Sequence, residues 1–418
     1  MKTVYAFLAA NRYWPDKARL QQVFAELTAR LSCTEKAVLL TDEENDLPDG
    51  DCVVLVPLSG AVQKKLLQSA AKFSTAVLYC AYVTGNASAD TCDELLRANA
   101  APTIMDTWAV LHRQNPRVLL ALNENSLREH LRVLDVFCFV HGANVLQIGR
   151  TEPWVVSNAS SPRIYEERFG VHIVPVAQQE LEDGFTAATQ EQAAPYHAWF
   201  VQNAAACKEP TENDLWNAAR MAYALDALLQ KYHARAAALA CFALLRTGTT
   251  ACMGVSYLNT MTEKCVSCEG DLDSVLTMLL MKKLSDTPLW MANPALNPDG
   301  TIHFSHCTAP LFWGSQALPY VLRSHHESGI GVSTQVAFPI SCPVTACRIS
   351  NEAQDMTIHT GHTVSGAYRT ACRTQATVLL DDFDHYLQTA LGCHQVFSFS
   401  DISAPLHTAA KLFGLKIL

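Results

Sequence analysis

The sequence lacks the long basic runs and the long apolar runs that mark two large classes of protein. No stretch is rich in lysine and arginine, and the formal net charge is −9, so we expect no nucleic-acid partner and no anionic membrane surface. No apolar run approaches the roughly 20 residues that a membrane-spanning helix needs. A GxGxxG or P-loop nucleotide motif, an internal repeat and a low-complexity tract are also missing. The 418 residues, 49% hydrophobic and 17% charged, have the composition of a globular protein.

Cysteine is abundant, with 15 residues, but its distribution gives neither a disulfide framework nor a strong zinc signature. Many cysteines lie inside apolar runs, where a thiol behaves as a small hydrophobic group, and no signal-peptide core appears near the N-terminus. We therefore expect a reduced, cytoplasmic protein. Cys265-x-x-Cys268 is a single CxxC without a second pair, whereas a structural zinc site has four ligands.

The order of apolar segments predicts an α/β fold with a β-rich end. Over residues 1–113, short β-like runs alternate with helical patterns, which predicts a parallel sheet covered on both faces. Residues 114–300 repeat the alternation, starting with RVLLAL; they include a long helix after a capping-box pattern and a strand predicted over 238–245. Residues 301–418 are short β-rich segments separated by glycine, proline and serine. We predict two doubly wound parallel-sheet domains, 1–113 and 114–300, followed by a β-rich, barrel-like C-terminal domain, 301–418.

Polar, metal-capable side chains stand at three consecutive element ends between residues 267 and 310. Glu269 precedes an amphipathic helix, Asn293 ends the next apolar run, and His306 and Cys307 follow a short strand. Such placement is typical of a site built on a rigid α/β scaffold. A carboxylate at a helix N-terminus is also stabilised by the helix dipole, so Glu269 has the alternative interpretation of a capping acid. The apolar sequence around it favours a paired or metal-bound carboxylate, because burial of an isolated charge is costly.

Further histidines extend the candidate site. His394 lies in a turn just before an apolar strand, which makes it a candidate ligand, although a loop histidine is usually only solvated. His306 ends its strand and is a better candidate than His303. A nucleophilic pair of His306 and Cys307 is geometrically poor, because adjacent strand residues point to opposite faces. Glu327, in SHHESG, is a candidate pocket residue, and a polar turn is an equally good interpretation.

Several motifs in the chain resemble those of the L-fucose/L-arabinose isomerase family. The resemblance extends from about Arg117 onward, and the first domain matches mainly in pattern. It is carried by VLQIGRTEPW, FGVHIVPV, CEGDLDSVLTMLL, FSHCTAP, CRTQATVLL and LGCHQVFSFSD.

This resemblance implies a homo-oligomeric, metal-dependent enzyme that interconverts aldoses and ketoses through a cis-enediol, using Mn²⁺ or another divalent cation. Its fold would be two α/β sandwiches followed by a β-rich domain. Carried over to this sequence, Glu269 would be the general base and a metal ligand. Asn293 would stand at a second position that is both catalytic and metal-binding, and His394 would be a metal ligand. We predict that His306, Glu327 and Asp271 contact the substrate, which would be a pentose, a deoxyhexose or a related modified sugar.

One departure from the family pattern leaves the reaction open. The position of the second acidic ligand is occupied by Asn293, whose amide oxygen can coordinate a metal but cannot exchange a proton as a carboxylate does. Proton transfer would then use Glu269 with another acid, for which Asp271, His306 and Glu327 are candidates. Alternatively the chain is a carbohydrate-binding pseudoenzyme, or an epimerase or lyase on the same scaffold.

Overall fold

A computed structural model describes residues 1–42, 46–83, 89–313 and 316–418. The chain forms two compact units, Met1–Cys138 and Phe139–Leu418. Among the described residues, no helix combines the length and the apolar character that crossing a bilayer requires.

The first unit is built on a five-stranded parallel sheet with the order β2-β1-β3-β4-β5. The sequence CVVLVP of β3 is buried at every position, as expected of a parallel strand covered on both faces. The strands are β1 (Thr3–Leu8), β2 (Ala37–Leu40), β3 (Cys52–Pro57), β4 (Thr75–Tyr79) and β5 (Val118–Ala121). The helices are α1 (Lys17–Arg30), α2 (Gln63–Ala70), α3 (Ala89–Arg97), α4 (Ala100–Gln114) and α5 (Glu124–Val140), the last of which continues into the second unit.

The second unit begins with another parallel sheet, of four strands in the order β10-β9-β6-β7. Its strands are β6 (Asn144–Ile148), β7 (His172–Val176), β9 (Ala234–Leu239) and β10 (Cys265–Ser267), and β8 is the short Ala206–Cys207. Its helices are α6 (Pro162–Phe169), α7 (Gln178–Ala187), α8 (Gln190–Gln202), α9 (Glu212–Lys231), α10 (Cys252–Met261) and α11 (Leu272–Lys282). The predicted capping box is confirmed, because Thr211 and Asp214 bond reciprocally at the start of α9.

The C-terminal part of the second unit is rich in antiparallel strands. Its main sheet has the order β17-β20-β11-β12-β19-β18-β21, and β18 also pairs with β17, which closes a ring of six strands. The apolar side chains of Trp290, Phe304, Phe397 and Phe399 pack inside. The strands are β11 (Trp290–Leu296), β12 (Thr301–His306), β13 (Phe312–Trp313), β14 (Gln316–Ala317), β15 (Tyr320–Arg323), β16 (Ser333–Val336), β17 (Pro343–Ser350), β18 (Asp355–Val364), β19 (Thr374–Leu380), β20 (Gln395–Ser398) and β21 (Lys416–Ile417). The helices are α12 (Phe383–Gln388) and α13 (Ser403–Leu412).

The predicted mixed α/β fold, with parallel sheets and a β-rich C-terminal region, is confirmed. Two details differ. RVLLAL was expected to open the second sheet, but its strand β5 pairs with β4 in the first. The strand predicted over 238–245 instead ends at Leu239, and Phe242–Thr247 forms a 3-10 helix. The division of the chain into three domains stays a prediction.

Candidate metal centre

Glu269, His306 and His394 come together in the second unit. The three residues offer ligand atoms that all lie within 4.8 Å of one another, and among the described residues this is the one such group of three or more acidic, histidine or cysteine side chains. Their exposed fractions are only 8%, 5% and 1%. Glu269 lies between β10 and α11, His306 ends β12, and His394 directly precedes β20. Each ligand therefore stands at the end of a rigid element, and the group can hold a metal ion.

The backbone at Glu269 is in the left-handed region, with φ of +60°, and Gly270 follows with φ of +62°. That conformation is uncommon for a residue with a side chain and is a mark of a constrained site. Glycine is required next to it, because a Cβ on Gly270 would lie 2.8 Å from the Cα of Thr151. The capping role considered for Glu269 belongs instead to Asp271, whose Oδ1 accepts from the backbone N–H of Ser274 at 2.9 Å. Glu269 is thus free to face the two histidines.

A carboxylate fixes the orientation of His394. Its Nδ1 donates to Oδ2 of Asp271 at 2.7 Å, while its Nε2 lies 3.3 Å from Oε1 of Glu269. Metal-binding histidines in proteins are commonly held in this way, with a carboxylate on one nitrogen and the metal on the other. Nε2 is therefore the atom that His394 can offer to a metal ion.

A buried network holds Asp271 in turn. Its Oδ2 accepts from Arg348 at 3.1 Å and from the Ser274 hydroxyl at 2.8 Å, and Asp271 itself is 0% exposed. Arg348 also donates to the backbone oxygen of His394 at 3.0 Å. The oxygens of Asp271 are engaged by protein groups, and its predicted contact with substrate stays a prediction.

The protonation of the three ligands follows from their surroundings. Burial raises the pKa of Glu269, but the hydrogen bond and charge of His394 outweigh burial and leave that pKa below its usual value. Burial lowers the pKa of His394, but the hydrogen bonds to Asp271 and Glu269 raise it to about 10. Burial lowers the pKa of His306 to about 4. Near neutral pH the metal-free group therefore contains a carboxylate, an imidazolium and a neutral imidazole.

Metal binding is expected to release about one proton near neutral pH, because Nε2 of His394 must lose its proton to become a ligand. The direction of the pH dependence follows from the pKa of His394, which is about 10. Below that pH the proton on Nε2 competes with the metal. Mn²⁺ affinity should therefore rise about tenfold per pH unit between about pH 6 and about pH 8.5. Calorimetric titration in buffers of different ionisation enthalpy measures the released proton directly.

The control for this measurement is Asp271→Asn, which keeps the shape of the side chain but removes the charge that raises the pKa of His394. This variant should release less than one proton and bind Mn²⁺ about 10–100-fold more weakly. An affinity in the unchanged protein that does not vary over this pH range would exclude His394 as a ligand.

Asn293 and Glu327 occupy different kinds of position. Asn293 is half-buried in β11 opposite Ser305, and the residue before it, Ala292, pairs with Gln395, which follows His394. The strand register thus brings Asn293 beside the segment that carries His394, and its role as a ligand stays a prediction.

Glu327 is an exposed turn residue, and its predicted contact with substrate also stays a prediction. His306, expected to bind substrate, lies in the metal-capable group.

Trp154 is a site residue that the sequence reasoning missed. Its indole Nε1 donates to Oε2 of Glu269 at 2.6 Å, although 52% of the side chain is exposed. The ring meets that of Phe242 edge to face, with centroids 5.2 Å apart. The motif GRTEPW contains this tryptophan, but nothing in its spacing indicates a bond with a carboxylate 115 residues away.

The cysteines near the site do not extend the metal-capable group. Cys265 and Cys268 are both buried, with no third or fourth ligand grouped around them in the described part of the chain. Cys307 is paired with Cys372 and His325, whose hydrogen bonds hold the pKa of its thiol well below the usual value. The poor geometry expected for a His306–Cys307 pair agrees with this arrangement, since the imidazole beside the thiol belongs to His325.

No family model matches the chain, and no curated protein matches it significantly. The resemblance to L-fucose/L-arabinose isomerases therefore stays a prediction that rests on the motifs quoted above.

Proposed function

We propose that the protein is a metal-dependent aldose–ketose isomerase that acts on a pentose, a deoxyhexose or a related modified sugar. One observation carries the proposal: Glu269, His306 and His394 form a buried group able to hold a metal ion, with a carboxylate next to both imidazoles. Two of the three, Glu269 and His394, are the residues that the family resemblance assigns to the metal. The resemblance, rather than the geometry, supplies the reaction class.

The donor set fits a divalent cation such as Mn²⁺. One carboxylate oxygen and two imidazole nitrogens can bind several divalent cations, iron(II) and zinc among them, and the family resemblance is what selects Mn²⁺. When bound, the cation supplies Lewis-acid stabilisation to the carbonyl and neighbouring hydroxyl of the open-chain sugar.

The side chains then divide the remaining work. Glu269, whose lowered pKa keeps it ionised at neutral pH, removes the proton from C2 of the sugar and delivers a proton to C1 of the cis-enediol, while the proton of the C2 hydroxyl group passes to the oxygen on C1. Asp271 acts through His394 as a positioning residue. Trp154 holds one oxygen of Glu269 and so limits the orientations of the base. These roles assign the proton transfer to a single carboxylate.

The family resemblance also supports a finer description of the molecule. It suggests two doubly wound domains followed by a barrel-like one, assembly as a homo-oligomer, and a cytoplasmic location. The closed pairing of β17 with β18 is compatible with the barrel-like description.

The proposal is tested by proton NMR in D₂O on metal-stripped protein, with and without Mn²⁺. L-fucose, L-arabinose, D-arabinose and a sulfonated hexose form the panel. We expect a ketose to form only when the metal is present, with deuterium at its C1, and at C2 of the recovered aldose, to the extent that the base exchanges its proton with solvent. Exchange at C2 without any ketose would favour an epimerase or lyase. Neither ketose nor exchange with any sugar, in protein that binds Mn²⁺, would contradict the isomerase.

A sugar-binding protein without catalysis is the second candidate, and Asn293 favours it. The family has a carboxylate at this position, and the amide removes one proton-transferring group and one negative charge. This candidate predicts saturable binding of a sugar with no exchange at C2 under any metal.

Asn293→Asp separates the two candidates. If the amide is the reason for a loss of catalysis, the variant should gain C2 exchange by about 10²-fold or more over background, the usual size of acid–base catalysis. If the unchanged protein is already an isomerase, the variant should weaken that activity, since the site is adapted to a neutral ligand. Asn297→Asp, at a turn beyond the end of β11, is the matched control and should change neither result.

A further inference from the structure

A second feature of the Phe139–Leu418 unit is a cavity of about 650 Å³ at the edge of its parallel sheet. The cavity is lined by residues that directly follow three strands: Gly149 after β6, Ala177 after β7 and Ala240 after β9. In open α/β sheets, ligands bind at the carboxyl ends of the strands. The volume is in the range of small-molecule sites in proteins.

Gln178 lines this cavity, and its amide has no protein partner among the described residues. Both its Oε1 and its Nε2 are buried, and neither has a hydrogen-bond partner in the part of the chain that is described. A buried amide without partners is costly, and native proteins rarely leave one unless a ligand or water completes it. Gly149 makes room for it, because a Cβ there would lie 2.7 Å from Oε1 of Gln178. The local structure therefore holds an unsatisfied donor and acceptor beside open space.

The same cavity is joined to the metal-capable group by one loop. The backbone N–H of Glu152, a lining residue, donates to the backbone oxygen of Glu269 at 3.0 Å. The hydroxyl of Thr151 donates to the backbone oxygen of Gly270 at 2.9 Å. Residues 149–153 thus form a wall of the cavity and also support the loop that presents Glu269.

The chemistry of the lining selects a neutral ligand with several hydroxyl groups. An amide offers a donor and an acceptor together, and the carboxylate of Glu152, whose Oε1 is also buried without a partner in the described part, offers an acceptor. Hydroxyl groups can satisfy both. The lining carries one anionic and one cationic side chain, Glu152 and Arg150, so it has no net charge that would favour an ionic ligand. The apolar remainder, formed by alanine, proline and valine, fits the carbon chain.

We propose that this cavity binds the hydroxyl-bearing carbon chain of a neutral polyhydroxylated ligand, with Gln178 as its main hydrogen-bonding residue. The identification of that ligand with the isomerase substrate rests on the proposed function. Gln178 is then a specificity-determining residue, since it contacts the part of the sugar away from the reacting carbons.

Alditols test the proposal, because they are open-chain polyols that cannot isomerise. Binding of L-fucitol, L-arabinitol and D-arabinitol to the full chain is measured by ligand-detected NMR and calorimetry, with and without Mn²⁺. Gln178→Leu keeps the size of the side chain and removes its hydrogen bonds, so affinity should fall at least about tenfold. Gln179→Leu is the matched control. Its amide is exposed and bonds Asp183 outside the cavity, so this variant should bind as the unchanged protein does.

A second variant tests whether the ligand occupies the cavity, by filling part of its volume with a larger side chain. Ala243 is an exposed lining residue, and Ala243→Phe should also weaken alditol binding while leaving Mn²⁺ affinity unchanged. Alditol affinity that survives in Gln178→Leu would overturn the proposal even if the protein isomerises sugars, and so would the absence of alditol binding to the unchanged protein. Loss of binding in both variants would support it even if no C2 exchange is ever observed.

Discussion

Glu269→Gln is expected to reduce the rate of C2 exchange at saturating Mn²⁺ by at least about 10²-fold, the usual effect of removing a general base. The change keeps the shape of the side chain and the acceptor that Trp154 uses. It removes the carboxylate that we propose accepts the proton, and with it the negative charge of the metal-capable group. Because the group loses its one anionic side chain, Mn²⁺ affinity should fall as well. The rate is therefore measured by NMR over a range of metal concentrations, and affinity by calorimetry.

Glu263→Gln serves as the control for this variant. Glu263 lies on the surface, with 69% of its side chain exposed, and pairs with Lys283. Its replacement should change neither the exchange rate nor the metal affinity. An exchange rate near that of the unchanged protein in Glu269→Gln, once Mn²⁺ saturates, would contradict the assignment of the base and leave Glu269 as a ligand only.

Much of the fold could be predicted because local sequence and long-range pairing agree there. CVVLVP is apolar throughout and is buried throughout in β3, and the capping box at Thr211 marks the start of α9. The sequence ALACFALL was harder to assign, because periodicity cannot distinguish a short apolar strand from a short buried helix. The sheet to which RVLLAL belongs was not predictable from its own sequence. Its pairing with β4 depends on residues more than 35 positions away.

The candidate site was predictable only at its element ends. Glu269 and His394 were identified because carboxylates and imidazoles at the ends of buried elements suggest a site. The sequence did not distinguish Glu269 from Asp271 as the capping acid, since both stand near the start of α11 and only the positive φ at Glu269 separates them. Arg348 has no local signal. It lies within the strand β17, and its contact with Asp271 spans 77 residues.

Arg348 is nevertheless the residue on which the support of the site most depends. It is 1% exposed and lies 3.1 Å from Asp271 and 3.6 Å from Asp273, both of which are 0% exposed. Burial raises the pKa of Asp273 to about 7, because Arg348 only partly offsets burial and the charge of Asp271. Burial also raises the pKa of Asp271, but Arg348 and His394 outweigh it and hold that pKa well below its usual value. One guanidinium therefore compensates two buried carboxyl groups.

Arg348→Met should lower the free energy of unfolding by about 3–5 kcal/mol, the typical effect of leaving a buried charge without its partner. Urea unfolding of the full chain measures the change. Arg163→Met is the matched control, because Arg163 pairs with Glu167 and both side chains are exposed, at 80% and 60%, so its loss should be at most about 1 kcal/mol. Equal losses of unfolding free energy in the two methionine variants would contradict the role of Arg348 as the partner of two buried carboxyl groups. Arg348→Lys keeps the charge but not the planar guanidinium whose Nη1 donates to Asp271, Ser274 and His394. Its loss of stability should fall between those of the other two variants. It should also bind Mn²⁺ more weakly than the unchanged protein, because Asp271 then orients His394 less firmly.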